Sequence, residues 1–115
     1  MKPTYIYLPT DDLARSSRYY RETLGLEEAW REGDDTVAFA VPGGGLQLML
    51  STAPGAQGVM YLVPSVQQFL DSRHAITVVS PPEAIPGGVV VGLEDVSGNA
   101  FYVFDQVDPE APAGS

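Results

Sequence analysis

Side chains suited to covalent or metal chemistry are scarce in this sequence. It contains no cysteine, which excludes a thiol nucleophile, a thiolate metal site and a disulfide. The single histidine, His74, follows a predicted helix, where partial positive charge suits the carboxyl end of the helix dipole. A centre with two histidine ligands cannot form within one chain. We find no serine–histidine–aspartate triad, lysine nucleophile or phosphate-binding glycine loop.

Proton transfer is the chemistry for which candidate residues exist. General acid–base catalysis needs a titratable side chain whose pKa is tuned by its surroundings. The candidates are two phenols and four carboxylates, namely Tyr5, Tyr102, Glu83, Glu94, Asp95 and Asp105. Glu94 and Asp95 precede the turn sequence Ser97-Gly98-Asn99, and aspartate side chains often bond the backbone of such turns. For this pair the structural role is therefore favoured over the catalytic one.

The charge of the chain narrows the range of partners. Fifteen acidic residues against six basic ones give a net charge of −9. Nucleic acids and anionic membranes require clustered lysine and arginine, so neither is expected as a partner. Negative charge is compatible with a cationic ligand and equally with simple solubility. Because no apolar run approaches the ~18 residues of a membrane span, the expected location is cytoplasmic.

The elements that must position these side chains fall into two similar halves. With 44% hydrophobic residues, the chain is expected to form one domain over residues 1–115. We predict a first module over residues 4–50, a linker over 51–57, a second module over 58–105 and a frayed tail over 106–115. Each module is predicted to contain a strand, a helix and three further strands. Their positions are 5–8, 13–23, 26–31, 36–41 and 46–50, then 59–63, 65–73, 75–79, 89–93 and 100–104.

Sequence matches between the halves indicate an internal duplication. An offset of 55 residues aligns Gln47 with Tyr102 and Met49 with Phe104. Tyr7-Leu8 also recurs as Tyr61-Leu62, 54 residues further on. The pattern predicts an α+β fold made of two βαβββ modules.

Two segments resemble the signatures of a known family. Residues 8–26, which include Leu8-Pro9-Thr10-Asp11-Asp12-Leu13 and Leu24-Gly25-Leu26, resemble the opening signature of the vicinal oxygen chelate superfamily. Residues 94–99, Glu94-Asp95-Val96-Ser97-Gly98-Asn99, resemble its closing signature. That superfamily includes glyoxalase I, extradiol dioxygenases, fosfomycin resistance enzymes and bleomycin-binding resistance proteins. The resemblance covers residues 4–105. It implies a curved sheet around a concave cavity, helices on the convex side, and a homodimer.

The resemblance also implies where a metal would be held in the family's enzymes. Their ligands lie on concave positions of the first, fourth, fifth and eighth strands. The corresponding positions here are Tyr5, Gln47, a residue within 58–60, and Tyr102. Phenol and amide groups are poor ligands for catalytic divalent cations, which prefer imidazole, thiolate or carboxylate. We therefore expect no metal and no other cofactor.

Alternation along the strands then predicts the residues that face the cavity. If Tyr5 and Tyr102 face the concave side, residues two positions away share that face. The predicted ligand-binding set is Tyr5, Tyr7, Gln47, Met49, Tyr61, Tyr102 and Phe104. Five further residues are expected to edge the same opening: Trp30, Glu32, Asp34, Asp35 and Phe39.

Tyrosine and methionine offer large or adaptable contact surfaces with few polar groups, which suits an organic ligand with rings. The favoured hypothesis is a metal-free protein that binds a hydrophobic, ring-bearing and cationic or neutral small molecule, as drug-sequestering resistance proteins do. Three alternatives remain: a metal-independent isomerase or lyase, a non-catalytic protein-interaction module and, last, a metal-dependent glyoxalase or dioxygenase. The concave aromatic residues have a structural alternative as well: they would fill the mouth of the barrel that the curved sheet forms, or pack in a dimer interface.

Overall fold

The computed structural model describes residues 1–106, and these form one eight-stranded sheet with two short helices. In the first half, β1 is Lys2–Pro9, α1 is Leu13–Arg18, β2 is Glu27–Glu32, β3 is Thr36–Ala40 and β4 is Gln47–Ser51. In the second half, β5 is Gly58–Leu62, α2 is Val66–Asp71, β6 is Thr77–Ile85, β7 is Gly88–Glu94 and β8 is Ala100–Phe104. The order βαβββ therefore occurs twice, and the predicted fold class is confirmed.

Helix α1 begins after a capping aspartate, Asp12, and the helical segment ends at a glycine, Gly25. The Asp12 carboxylate accepts a hydrogen bond from Arg15 N at 3.1 Å and so satisfies one free amide of the first turn. After Arg18 the chain continues as a π-helical turn, Tyr19–Thr23, in which Leu24 N donates to Tyr19 O at 3.1 Å. Gly25 then takes a left-handed conformation with φ 72° and ends the helix.

The sheet joins the two modules through their first strands. Its strand order is β2-β3-β4-β1-β5-β8-β7-β6. β1 pairs in parallel with β4 and antiparallel with β5, while β5 pairs in parallel with β8. The two edges of the sheet are β2 and β6.

Two clusters on the convex face pack the sheet against the helices. Under α1, Leu13 packs with Val37, Phe39 and Leu50. Under α2, the cluster contains Val63, Val66, Phe69, Val91, Leu93 and Val103. A third cluster, built around Tyr7, Met60 and Phe104, lies on the concave face. None of the helices within residues 1–106 is long and apolar enough to cross a lipid bilayer.

Strand β6 is longer than its sequence predicts. The predicted strand ended at Val79 and a loop followed over 81–88, whereas β6 continues to Ile85 and pairs with β7. Pro81 and Pro82 indicated a loop because proline cannot donate to a strand ladder. An edge strand tolerates them, and the register shifts between Ser80 and Glu83, where the prolines lie.

Asp105, the last residue of the predicted second module, belongs to the core. Its side chain is 4% exposed, with Oδ2 accepting from Val66 N at 2.8 Å and Oδ1 from Val89 N at 3.1 Å. The carboxylate thus joins the start of α2 to the start of β7. Of the tail predicted over 106–115, residues 107–115 lie outside the described residues.

Candidate functional site

The concave face of the sheet encloses a cavity of about 350 Å³. The central strands form its floor, and residues of both edge strands, β2 and β6, form opposite walls. The sheet therefore curls far enough for its two edges to flank one space. Ala53, Pro54 and Gly55, from the connection between modules, line a further side. The volume falls within the usual range for sites that bind small organic molecules.

Most of the predicted concave set does line this cavity. Five of its seven members are found there, namely Tyr5, Tyr7, Met49, Tyr102 and Phe104. Tyr7 and Phe104 are buried at 8% and 2% exposure, and they pack with Met60 in the concave cluster. Their role in ligand binding stays a prediction.

Gln47 lies beside the cavity and supports one of its walls. It is the strand neighbour of Tyr5, and its Oε1 accepts a hydrogen bond from Trp30 Nε1 at 2.9 Å. The Trp30 ring meets the Tyr5 ring edge-on, with centroids 5.8 Å apart. Gln47 therefore holds the indole at the cavity wall, and the predicted direct contact between Gln47 and the cavity is not seen.

The prediction that Tyr61 faces the concave side is wrong. Tyr61 packs on the opposite face against the cluster under α2, with its ring edge-on to Phe101 at 6.2 Å. Met60 takes the concave position and pairs with Tyr5 and Tyr102 on the neighbouring strands. A shift of one residue along a strand moves every side chain to the other face. The repeated Tyr-Leu dipeptide suggested the incorrect register.

Of the five residues expected at the opening, three are there and two are not. Trp30, Glu32 and Asp35 line the cavity. Phe39 is fully buried on the convex face, where its ring stacks on that of Tyr20 at 5.9 Å. Asp34 is exposed in the turn between β2 and β3 and does not line the cavity.

The β6 wall was missed because this stretch was predicted to be a loop. Ser80, Glu83 and Ile85 line the cavity from this strand. No alternation marked this wall in the sequence, since Glu83, Ala84 and Ile85 are consecutive and all line the cavity.

The tyrosine hydroxyls of the cavity are neutral hydrogen-bond donors. Tyr7 Oη donates to Ala53 O at 2.6 Å, and Tyr102 Oη donates to Ala56 O at 2.6 Å. Burial raises the pKa of Tyr5, of Tyr7 and of Tyr102 above the ordinary value for a phenol. The three phenols therefore stay protonated at neutral pH and are poorly suited to act as bases.

The charged groups at the cavity are all acidic. Glu32, Asp35 and Glu83 line it, whereas no lysine, arginine or histidine among residues 1–106 does. Asp35 Oδ1 accepts from Thr36 Oγ1 at 3.3 Å. Neither Glu32 nor Glu83 forms an ion pair with another described residue. The aromatic faces and carboxylates together favour a positively charged guest over an anion.

The positions that hold metal in the family's enzymes do not offer a metal site here. They carry Tyr5, Gln47, Met60 and Tyr102, in neighbouring register on β1, β4, β5 and β8. The Gln47 oxygen is engaged by Trp30, and the Tyr102 hydroxyl by Ala56 O. In the described part of the chain, no three histidine, cysteine, aspartate or glutamate side chains are placed to hold an ion. The donor set does not fit a catalytic divalent cation.

Two other candidate groups lie away from the cavity. Asp95 Oδ1 accepts from Ser97 N at 2.8 Å and Asn99 N at 2.9 Å, and these bonds lower the pKa of its carboxyl group. This places Asp95 in the turn, as favoured from the sequence. His74 is exposed in the turn that follows α2.

Similar folds occur among solved structures. An NAD-dependent benzaldehyde dehydrogenase from Legionella pneumophila is 19% identical over 90% of this chain and 99% of that chain, with a TM-score of 0.70. A methylmalonyl-CoA epimerase from Mycobacterium tuberculosis is 17% identical over 92% and 88% of the two chains, with a TM-score of 0.66. A glyoxalase/bleomycin resistance protein/dioxygenase superfamily member from Vibrio splendidus is 15% identical over 90% and 97%, with a TM-score of 0.64. At these identities the likeness concerns the fold alone.

Sequence comparison gives the family. A search of curated proteins found no match to this sequence. The family model for the glyoxalase/bleomycin resistance protein/dioxygenase superfamily matches residues 2–103, which is nearly the whole described chain. The resemblance of the opening and closing signatures is thereby confirmed, and the chain belongs to the glyoxalase/bleomycin resistance protein/dioxygenase superfamily.

Proposed function

We propose that this protein binds a hydrophobic, ring-bearing small molecule reversibly and without a metal ion, in the manner of the drug-sequestering members of its superfamily. The observation that carries the proposal is the cavity of about 350 Å³ with aromatic and thioether walls. Tyr5, Trp30 and Tyr102 provide flat faces, and Met49 and Met60 provide adaptable ones. Such walls give contact area to a ring system and demand little polar complementarity.

The charges at the cavity support a cationic ring system as the preferred guest. Glu32, Asp35 and Glu83 would face a bound cation, and aromatic faces also attract positive charge. The same carboxylates would repel an anion of equal size. Binding is therefore proposed to depend on the sign of the ligand's charge as well as on its rings.

The absence of a metal from the proposed function is supported by the donor set. Tyr5, Gln47, Met60 and Tyr102 stand at the family's metal positions, and two of these polar groups already bond to other protein atoms. Lewis-acid chemistry of the glyoxalase or dioxygenase kind would need other ligands.

A thermal-shift experiment tests this proposal directly. Purified protein is dialysed against a chelator and then mixed with proflavine, a planar cation, or with acridine-9-carboxylate, an anion on the same ring system. A ligand that binds the folded state raises Tm with concentration. We expect stabilisation by proflavine and none by the carboxylate, with no change when Ni²⁺, Zn²⁺, Mn²⁺ or Fe²⁺ is added. Stoichiometric binding of one of these metals, together with turnover of a metal-dependent substrate, would refute the proposal.

One observation favours a second candidate function, a metal-independent isomerase or lyase. Glu32 and the protonated Tyr5 line the same cavity, so a carboxylate base and a phenol acid stand near one space. A rate that depends on one ionising carboxylate and falls in both Glu32→Gln and Tyr5→Phe would support it. The interaction module, and the homodimer implied by the family, stay predictions.

A further inference from the structure

The connection between the modules lines one side of the cavity and is held there by two phenols. We call residues 53–57 of this connection the strap. Tyr7 Oη donates to Ala53 O, and Tyr102 Oη donates to Ala56 O, each at 2.6 Å. The two tyrosine rings stand next to each other, with centroids 5.4 Å apart. Two neighbouring donors of the cavity wall thus hold both halves of the strap.

The strap also packs closely on these rings at Gly55. This residue has φ 144°, which residues with a side chain rarely adopt. A Cβ atom at Gly55 would stand 2.9 Å from Tyr102 Oη and 3.3 Å from Tyr7 Cε2. Only a residue without a side chain fits this approach, so the strap rests directly on the phenols.

Little else holds the middle of the strap. Thr52 N donates to Asp35 O at 3.0 Å, and Ala53 N donates to Ser51 Oγ at 3.1 Å, which fixes the start. Gly58 begins β5 beside Ala100 and fixes the end. Between them every strap side chain is exposed, and among described residues the phenols supply the side-chain hydrogen bonds to residues 54–57. A segment with fixed ends and few internal bonds can open without unfolding the sheet.

We propose that the strap is a gate to the cavity and that the hydroxyls of Tyr7 and Tyr102 are its two fasteners. When the strap lifts, the cavity opens and both hydroxyls lose their acceptors. The raised pKa of each phenol supports this role, because both remain donors throughout the neutral range.

The gate has a consequence for ligand chemistry, and this consequence rests on the proposed function. The carbonyls of Ala53 and Ala56 occupy two donors that a ligand could use. A ligand with carbonyl, ether or phenolic oxygens can accept those hydrogen bonds and keep the strap open. Ring-bearing compounds with such oxygens should therefore bind better than matched compounds without them.

Limited proteolysis of the ligand-free protein tests the fasteners. Cleavage by proteinase K within residues 53–57 is followed by mass spectrometry in wild type and in the double variant Tyr7→Phe/Tyr102→Phe. Loss of two hydrogen bonds should raise the cleavage rate by about tenfold or more. Tyr5→Phe is the matched control, since it removes a phenol from the same cavity that does not bond to the strap. Equal cleavage rates in wild type and the double variant would overturn the proposal.

Fluorescence quenching tests whether the fastened segment controls access. Trp30 is the only tryptophan and lines the cavity, so acrylamide quenching reports entry of a small neutral molecule. The double variant should be quenched more strongly than wild type. Faster cleavage with unchanged quenching would mean that the strap moves but is not a gate.

Gly55→Ala provides an independent route to the open state. The added Cβ should displace the strap while leaving both phenols in place, and it should raise cleavage and quenching as the double variant does. Gly45→Ala is its control, because Gly45 lies in a loop with no atom within 4 Å of the added Cβ. Both tests use ligand-free protein. A failed gate and a failed ligand-binding proposal can therefore be told apart.

Discussion

The two faces of the sheet carry different side chains. On the convex face, α1 and α2 cover apolar strand residues that are fully buried. On the concave face, the same sheet presents phenols, thioethers and an indole to the cavity. Val91, Leu93 and Val103 are 0% exposed under α2. Tyr5 and Met49, on the other face, are only half-buried. One backbone therefore supports a close-packed layer under the helices and, on its other face, a layer that borders the cavity. This division predicts that substitutions on the two faces differ in what they change.

The largest effect is expected from truncation in the convex layer. Leu93→Ala should lower the free energy of unfolding by about 2–5 kcal/mol, since it leaves a void in a fully packed cluster. Met49→Ala is the matched variant on the concave side, and it should cost only about 1 kcal/mol because that side chain already borders empty space. Urea unfolding of both measures the difference. Equal losses would show that the cavity side is packed as tightly as the helix side.

Substitution of Asp105, a buried carboxylate, is expected to cause the next largest loss of folding free energy. Asp105→Ala leaves the buried amide of Val66 and the part-buried amide of Val89 without an acceptor, which should cost about 2–4 kcal/mol. Asp105→Asn keeps one acceptor oxygen, so its free energy of unfolding should lie between those of Asp105→Ala and wild type. If Asp105→Ala unfolds at the same urea concentration as wild type, Asp105 does not hold the second module together.

Alkaline pH should destabilise the concave face selectively. Tyr5, Tyr7 and Tyr102 have a folded-state pKa above the unfolded one, so the folded protein binds more protons than the unfolded chain at high pH. Their contribution is complete below pH about 10 and is lost as the pH rises through the folded pKa.

Ultraviolet titration of phenolate formation checks this expectation. The phenols of Tyr5, Tyr7 and Tyr102 should ionise above the ordinary pKa of tyrosine, and each substitution to phenylalanine should remove one of these three groups. Ionisation of these three phenols at the ordinary pKa of tyrosine would contradict the assigned burial of the cavity phenols.

The smallest effect is expected at the β7–β8 turn, away from both faces. Hydrogen bonds from Asn99 and Ser97 lower the pKa of the Asp95 carboxyl group. The stability that they provide is present above the unfolded pKa, about 3.9, and is lost as the pH falls through the folded value. Asp95→Asn should flatten the decline of the urea midpoint between neutral and acidic pH. An unchanged slope would mean that these bonds add nothing to folding.

The sequence was sufficient to predict the fold and most of the cavity floor. Turn residues and strand patterns placed ten helices and strands in the correct order, and alternation placed Tyr5, Tyr7, Met49, Tyr102 and Phe104 on one face. The elements and the alternation depend on local rules that act within a few residues. The resemblance to the superfamily supplied the starting positions, Tyr5 and Tyr102, on the concave face.

The register of β5 could also have been found, from the duplication itself. The offset of 55 residues that aligns Gln47 with Tyr102 also relates Tyr5 to Met60, which occupy equivalent positions on β1 and β5. The repeated Tyr-Leu dipeptide, at an offset of 54, led to Tyr61 instead. An offset shared by several strands is thus better evidence than identity within one strand.

Other features depend on contacts that no local pattern contains. Asp105 is buried because α2 and β7 each bring an amide to it. β6 continues through two prolines because only one of its edges is paired. The strap bonds to Tyr7 of the first module and to Tyr102 of the second, so its position depends on both modules. Its composition indicated only a linker.

The central position of β1 has a consequence for how the chain folds. Tyr5 pairs with Gln47 on one side and with Met60 on the other. Each edge of β1 therefore pairs with a strand that lies more than forty residues away in the sequence. Closing such long loops costs entropy before any pairing energy is gained, and domains of this kind fold in about milliseconds to seconds. During synthesis, β4 can complete one side of β1 while the other side remains open until β5 leaves the ribosome. The first module alone would then expose a hydrogen-bonding strand edge, which is a site for association between unfinished chains.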